Sequence, residues 1–198
     1  MKYDDRLYKF DTDMKLPLAV LDLLTAGHCM VAGGSVVRHL IGAESSDIDV
    51  FFYGVPDASL DAFHRAVGSM VMNCWAASVS PPVDGERTYP HERVILRKDG
   101  LTIDLIWCDV WDGPGKVLDG FDLTCCSVGV LDLAADGAQP PTNLQLVAAP
   151  QAVHALMTRS YTVWKNVWPT TPSRRVKYGN LGFRDATPPA SMTEEDPF

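Results

Sequence analysis

At 198 residues, with 46% hydrophobic and 21% charged residues, the chain has the make-up of one folded domain with a modest extension. A net charge of −8 argues against a general nucleic-acid binder, which carries a basic surplus; a local basic patch for RNA or a nucleotide stays open. The opening segment mixes both charge signs without an apolar run, so no signal peptide is read there. No stretch approaches the roughly 18 apolar residues of a bilayer span, and the expected location is the cytosol.

In chain order, Leu16-Pro17 to Leu24 reads as a first helix, with Pro at its start and Gly27 past its end. Cys29 to Ala32 is a short apolar strand running into Gly33-Gly34, Ser35 to Ile41 is helical, and Ile48 to Tyr53 is a second strand rich in β-formers. Asp57 to Met72 has a helical apolar stripe, and Cys74 to Val79 reads as a third strand. Ser80 to Glu92 lacks periodicity and is long enough for a functional lid. Val94–Arg97 and Leu101–Trp107 form a hairpin turning at Asp99-Gly100. Leu123 to Leu133 reads as a further strand, and Ala152–Thr158 and Arg174–Tyr178 as helices. The Pro-rich, acidic end from Arg184 is expected to be disordered. The order predicts an α+β domain with a mixed β-sheet flanked by helices: a core over 1–135, a small C-terminal helical extension over 136–183 packed on it, and a tail over 184–198. The five cysteines contain no Cys-x-x-Cys pair, so no zinc site is expected, and Cys108, Cys125 and Cys126 are read as core. His28, His39 and His154 have no partners at motif spacing.

The chemistry is sought among the aspartates, which number twenty against five Glu. At that frequency about two Asp-x-Asp pairs arise by chance, and two occur. Asp11/Asp13 lies in a polar stretch and reads as solvated charge. Asp47 and Asp49 open a strand, where residues i and i+2 share a face. Two carboxylates so close repel unless a cation lies between them, and Mg²⁺ suits oxygen ligands and substrate phosphates. The alternative is a turn cap at Asp47 and a lone surface charge at Asp49. Gly33-Gly34-Ser35, ending one strand and opening a helix, allows backbone N–H groups to approach a phosphate, with the Ser35 hydroxyl as a further donor; the plain alternative is a strand-to-helix turn with Ser35 as N-cap. A third carboxylate is wanted if two ions are held, to complete the acceptor-side ion and take the acceptor's proton. Asp104, on the alternating strand Leu101–Leu105, fits that part, or else faces solvent on an edge hairpin.

The segment VAGGSVVRHLIGAESSDIDVFF resembles the core signature of the polymerase-beta-type nucleotidyltransferase superfamily, above all the head domain of tRNA CCA-adding enzymes and short phage and viral nucleotidyltransferase-like proteins. The likeness covers roughly residues 28 to 130. It implies the nucleotidyltransferase fold, two Mg²⁺ ions at Asp47, Asp49 and Asp104, and an NTP whose phosphates rest on Gly33, Gly34 and Ser35. It implies transfer of a nucleoside monophosphate to an acceptor hydroxyl on RNA, a protein side chain or a small molecule, with pyrophosphate released, in the host cytosol if a phage encodes the chain. Phe121 to Cys126 resembles the Arg-Asp-Phe-Thr-Ile-Asn element of CCA enzymes, which places Asp122 at the nucleotide, with Phe121 for the Arg and Cys126 for the Asn. The Gly-Gly-x-Val-Arg-Asp element is altered too, leaving Arg38 at a neighbouring position. Ser173–Tyr178, the densest basic cluster, resembles a C-terminal Arg/Lys-Tyr element of the phage-type proteins and implies Lys177 on the triphosphate; a solvated helix face is the alternative. Activity as a CCA-adding enzyme is not expected from a chain of this length. The rival reading is a fold-retaining, inactive binding or regulatory protein, or an antitoxin-like partner.

Overall fold

The structure is a computed structural model and describes residues 6–79, 92–132, 144–164 and 170–188. An eight-stranded mixed sheet is its frame. The strands are β1 (Tyr8–Asp11), β2 (Cys29–Ala32), β3 (Asp47–Phe52), β4 (Ala76–Val79), β5 (Glu92–Lys98), β6 (Leu101–Trp107), β7 (Val128–Asp132) and β8 (Leu144–Ala148), in the order β1-β8-β7-β2-β3-β6-β5-β4. Only β3 and β6 run parallel among these neighbours; every other pair is antiparallel. The helices are α1 (Leu18–Thr25), α2 (Gly34–Leu40), α3 (Pro56–Met72), α4 (Pro114–Asp119), α5 (Pro150–Met157) and α6 (Thr171–Asn180). A two-stranded ribbon pairs β9 (Ser160–Tyr161) with β10 (Arg184–Asp185) in parallel. This is the mixed sheet flanked by helices expected of a nucleotidyltransferase fold. No helix among the described residues is long and apolar enough to cross a membrane.

Alternation along β3 and β6 decides where chemistry is possible. Ile48, Val50 and Phe52 lie on one face beside Ile103, Leu105 and Trp107 of β6, all buried. Helix α3 covers that face: Phe63 meets Phe52 edge-on at 5.5 Å, and the Trp107 indole N–H donates to Ser59 Oγ at 2.9 Å. The opposite face carries Asp47, Asp49 and Phe51 beside Thr102, Asp104 and Ile106. One side of the sheet centre is thus sealed core, and the other is a polar floor.

Several elements differ from expectation. Residues 123–133 are not one strand: Thr124–Cys126 forms a 3₁₀ turn and β7 begins only at Val128. Here buried apolar residues fit a turn as well as a strand, since burial on both faces erases the period-2 signal. Leu144–Ala148, expected within the helical extension, is a sheet strand between β7 and β1. The polar N-terminal stretch around Asp11 holds β1, and neither that strand nor α4 was anticipated. The tail begins later than Arg184, because Arg184 and Asp185 pair with Ser160 and Tyr161. The lid expected at 80–92 lies, apart from Glu92, outside the described residues, as does the tail from 189 onward.

Candidate active site

Asp49 and Asp104 are direct partners across the parallel β3–β6 pair, and Asp47 precedes Asp49 on the same face. All three predicted carboxylates therefore belong to one patch of sheet. Asp104 is buried and bonded by Arg93 of β5: Nε donates to Oδ1 at 3.0 Å and Oδ2 at 2.8 Å, and Nη2 donates to Oδ2. Asp47 is the most open of the three. The hydroxyl of Ser45 donates to its Oδ1 at 3.2 Å, while Arg38 Nη1 lies 3.6 Å and Lys177 Nζ 4.0 Å from its two oxygens. Asp49, partly buried between them, has its carboxyl pushed up to about 6, first by burial, then by the charges of Asp104 and Asp47, against the lowering pull of Arg174 and Arg93.

The glycine turn approaches this floor from β2. Gly33 has φ +79°, and a Cβ there would stand 2.8 Å from Cε1 of Phe121, so the position is closed to side chains on both backbone and steric grounds. Its N–H donates to the Val128 carbonyl at 3.0 Å; of the expected phosphate donors, that amide is already committed. Ser35 is buried, and its hydroxyl has no hydrogen-bond partner among the described residues; the same holds for Arg38 Nε. Buried polar groups are rarely left this way without a ligand or water to satisfy them.

Helix α6 closes the site from the C-terminal side. A Cβ at Gly34 would lie 3.4 Å from the Tyr178 hydroxyl and 3.7 Å from Lys177 Nζ, so the basic cluster is not a remote solvated face. Arg174, Lys177 and Tyr178, at i, i+3 and i+4, share one side of the helix. Arg175 turns away and pairs with Asp185.

Asp122, expected at the nucleotide, is instead fully buried. Thr171 Oγ1 donates to its Oδ2 at 2.6 Å and Arg174 Nη1 to its Oδ1 at 2.9 Å, while its carbonyl accepts the Trp164 N–H at 2.6 Å. The side chain thus fastens α6 rather than facing a ligand. Phe121 packs edge-on to Phe51 at 5.4 Å and covers Gly33; where the CCA-type element has Arg, this chain has an apolar cover.

Among the described residues, four cations, Arg38, Arg93, Arg174 and Lys177, thus surround the carboxylates, and of these Arg93 lay outside every motif read from the sequence. Arg93 was within reach of sequence reasoning. A two-residue Asp99-Gly100 turn, both at positive φ (51° and 81°), pairs Lys98 with Leu101 and so Ile95 with Asp104. Arg93, two residues before Ile95, then lies diagonal to Asp104 on the same face. Arg174 and Asp122 are 52 residues apart in sequence, and no local pattern joins them.

Among the described residues, no three His, Cys, Asp or Glu side chains form a cluster able to hold a metal ion by themselves. Asp47 and Asp49 nevertheless suit one hard cation whose remaining ligands are phosphate oxygens and water, the usual state of protein-bound Mg²⁺. Asp104, with Arg93 on both oxygens, does not fit as a ligand of a second ion.

The sequence model of the Gabija anti-defense 2 family, Gad2, matches residues 5–159. No curated protein sequence matches the chain. Among solved structures, the fold is similar to the Thermotoga maritima CCA-adding enzyme complexed with tRNA (TM-score 0.54, 18% identity), the alignment covering 85% of this chain and 38% of that one. It is also similar to CCA-adding enzyme complexes with CTP and with ATP, each at TM-score 0.53 and 16% identity over 85% of this chain and 39% of theirs. The chain spans about two fifths of the length of these structures. At such identities the likeness is one of fold.

Proposed function

The chain belongs to the Gabija anti-defense 2 family, and from that premise we propose that it is a nucleotidyltransferase acting on an NTP and an acceptor hydroxyl. The observation that carries the reading is the single face formed by Asp47, Asp49 and Asp104 on β3 and β6. The Lys177 ammonium stands 4.0 Å from Asp47 and close to the Gly34 turn, and the hydroxyl of Ser35, next in that turn, is buried with no partner among the described residues. In this reading the triphosphate lies between the Gly33–Ser35 turn and α6. Lys177 and Arg38, which face Asp47 in the free protein, then turn to phosphate oxygens, and the Ser35 hydroxyl donates to one of them.

Asp47 and Asp49 would hold a Mg²⁺ ion, which supplies a dication to offset charge on the triphosphate. The acceptor oxygen bonds to the α-phosphorus, the α–β bridging P–O bond breaks, and pyrophosphate departs with that electron pair. Asp104, expected to receive the acceptor's proton, is bonded at both oxygens by Arg93. With Asp49 held on the ion, the acceptor's proton passes to solvent water as the new P–O bond forms. Fixed cations around the phosphates stabilise charge as it shifts to the leaving group. Within the family's anti-defense role, the acceptor is RNA, a protein side chain or a small molecule, and a net charge of −8 favours the last two.

Incubation with α-labelled NTPs, Mg²⁺ and total RNA or cell lysate tests the proposal, with Asp47→Ala/Asp49→Ala as control. Label transferred by the unmutated chain alone supports it. Metal-dependent NTP binding without transfer to any acceptor replaces it with the fold-retaining binding or regulatory module. Absence of both transfer and binding removes both readings.

A further inference from the structure

We infer that the acceptor side of this site is served by a fixed guanidinium in place of a second metal ion: Arg93 holds Asp104, and the site takes a single divalent cation at Asp47 and Asp49. This inference rests on the nucleotide-binding reading above and narrows it. Arg93 presents Nε to both carboxylate oxygens and Nη2 to one of them, a fork geometry that a flexible monovalent contact does not reproduce. The pair is anchored from both sides, because β5 and β6 are in register over seven residue pairs and Arg93 is diagonal to Asp104 within that ladder. Arginine cannot shed its charge in a protein, so the guanidinium is a permanent part of the site. Its charge also acts on Asp49, the strand partner of Asp104.

An ion liganded by Asp104 would have to displace Arg93 from a buried carboxylate, or sit beside its charge. Neither problem arises at Asp47 and Asp49. Asp47 is open: the Ser45 hydroxyl donates to its Oδ1 at 3.2 Å, and its cations among the described residues, Arg38 and Lys177, stand off at 3.6 and 4.0 Å, where an incoming triphosphate draws them away. The two halves of the cluster differ accordingly: one holds its positive charge in advance, the other waits for it. Arg93 acts through Asp104 and is a positioning residue.

Counting Mn²⁺ tests this. The full chain is titrated with Mn²⁺ in the presence of α,β-methylene ATP or CTP, and free Mn²⁺ is followed by its electron paramagnetic resonance signal. The expected result is one bound ion per wild-type chain, two in Arg93→Ala, and none in Asp47→Ala/Asp49→Ala. Because Arg93→Ala leaves a buried carboxylate unpaired, Arg93→Ala/Asp104→Asn is measured beside it and should bind one ion, as wild type does. Two ions in the wild type, or one in a folded Arg93→Ala, overturn the inference and leave the nucleotidyltransferase reading standing. No ion bound by the wild type with either nucleotide overturns both.

Discussion

Asp49 shows how a single residue trades stability for a site. Its carboxyl titrates at about 6 in the folded chain against an ordinary 3.8, so the folded state holds its proton more tightly than the unfolded state. The contribution to stability is fully present below about pH 3.8 and is lost as pH rises through 6, a loss on the order of 2–3 kcal/mol by pH 7. Asp49→Asn should therefore make the ion-free protein more stable than wild type at pH 7.5, while the two converge near pH 4. Urea denaturation across that range checks it, and equal midpoints at pH 7.5 would contradict the account. Gly33 is constrained in the other direction. Gly33→Ala should cost about 2 kcal/mol or more, combining a left-handed φ with the Phe121 ring. The steric part alone should vanish in a Phe121→Ala background, so a double-mutant cycle should return a coupling of about 1 kcal/mol; zero coupling would mean that the ring does not guard the turn. Both residues were legible as a motif. Their burial and their neighbours were not, since Phe121 lies far along the chain.

Among the elements, α6 depends most on contacts that sequence does not display. Its basic cluster was visible, but the pattern left a solvated face and a folded-back element equally open. The difference is made by Asp122, which reads as a motif aspartate and in fact receives Thr171 and Arg174. A buried carboxylate of this kind is a structural bolt. Asp122→Ala should cost about 2 kcal/mol, the loss of charge-assisted hydrogen bonds, moderated because Arg174 can reach solvent. Its specific consequence is that α6 loosens and Lys177 leaves the Gly34 turn. Nucleotide affinity should fall in Asp122→Ala nearly as far as in Lys177→Ala, although Asp122 touches no ligand. Calorimetric titration of both variants with a non-hydrolysable NTP decides this; full affinity in Asp122→Ala would show that Lys177 does not need the bolt. The hairpin is the contrasting case. Its Asp99-Gly100 turn sets the register, and the register places Arg93, so the geometry there was contained in a short stretch of sequence.

On the scale of the molecule, the order of strands matters more than any motif. β2, β3 and β6 lie at the centre of the sheet, and their connections bring Gly33, Asp49 and Asp104 together from points 16 and 55 residues apart in sequence. The parallel β3–β6 pair is what makes Asp49 and Asp104 neighbours. Hydrophobic periodicity cannot announce such a pairing, because it is blind to which strands meet. The strands β1 and β8 escaped for a similar reason: short segments, one exposed throughout and one buried over Leu146–Ala148, acquire meaning only once β7 offers an edge to β8 and β8 offers one to β1. A site assembled by the whole sheet should report on the whole sheet. On the proposed function, ion and nucleotide would bind the folded state only, so at about a hundredfold excess over the dissociation constant they should add about 2.7 kcal/mol. For a chain of this size that is a rise in melting temperature of roughly 5–11 °C. The rise should require nucleotide and divalent ion together, because the ion lacks a complete ligand set without phosphate oxygens. It should disappear in Asp47→Ala/Asp49→Ala and persist in Arg93→Ala/Asp104→Asn. Melting scans with each component alone and both combined check this, and a full shift from nucleotide without the ion would place the triphosphate on Lys177, Arg38 and Ser35 alone.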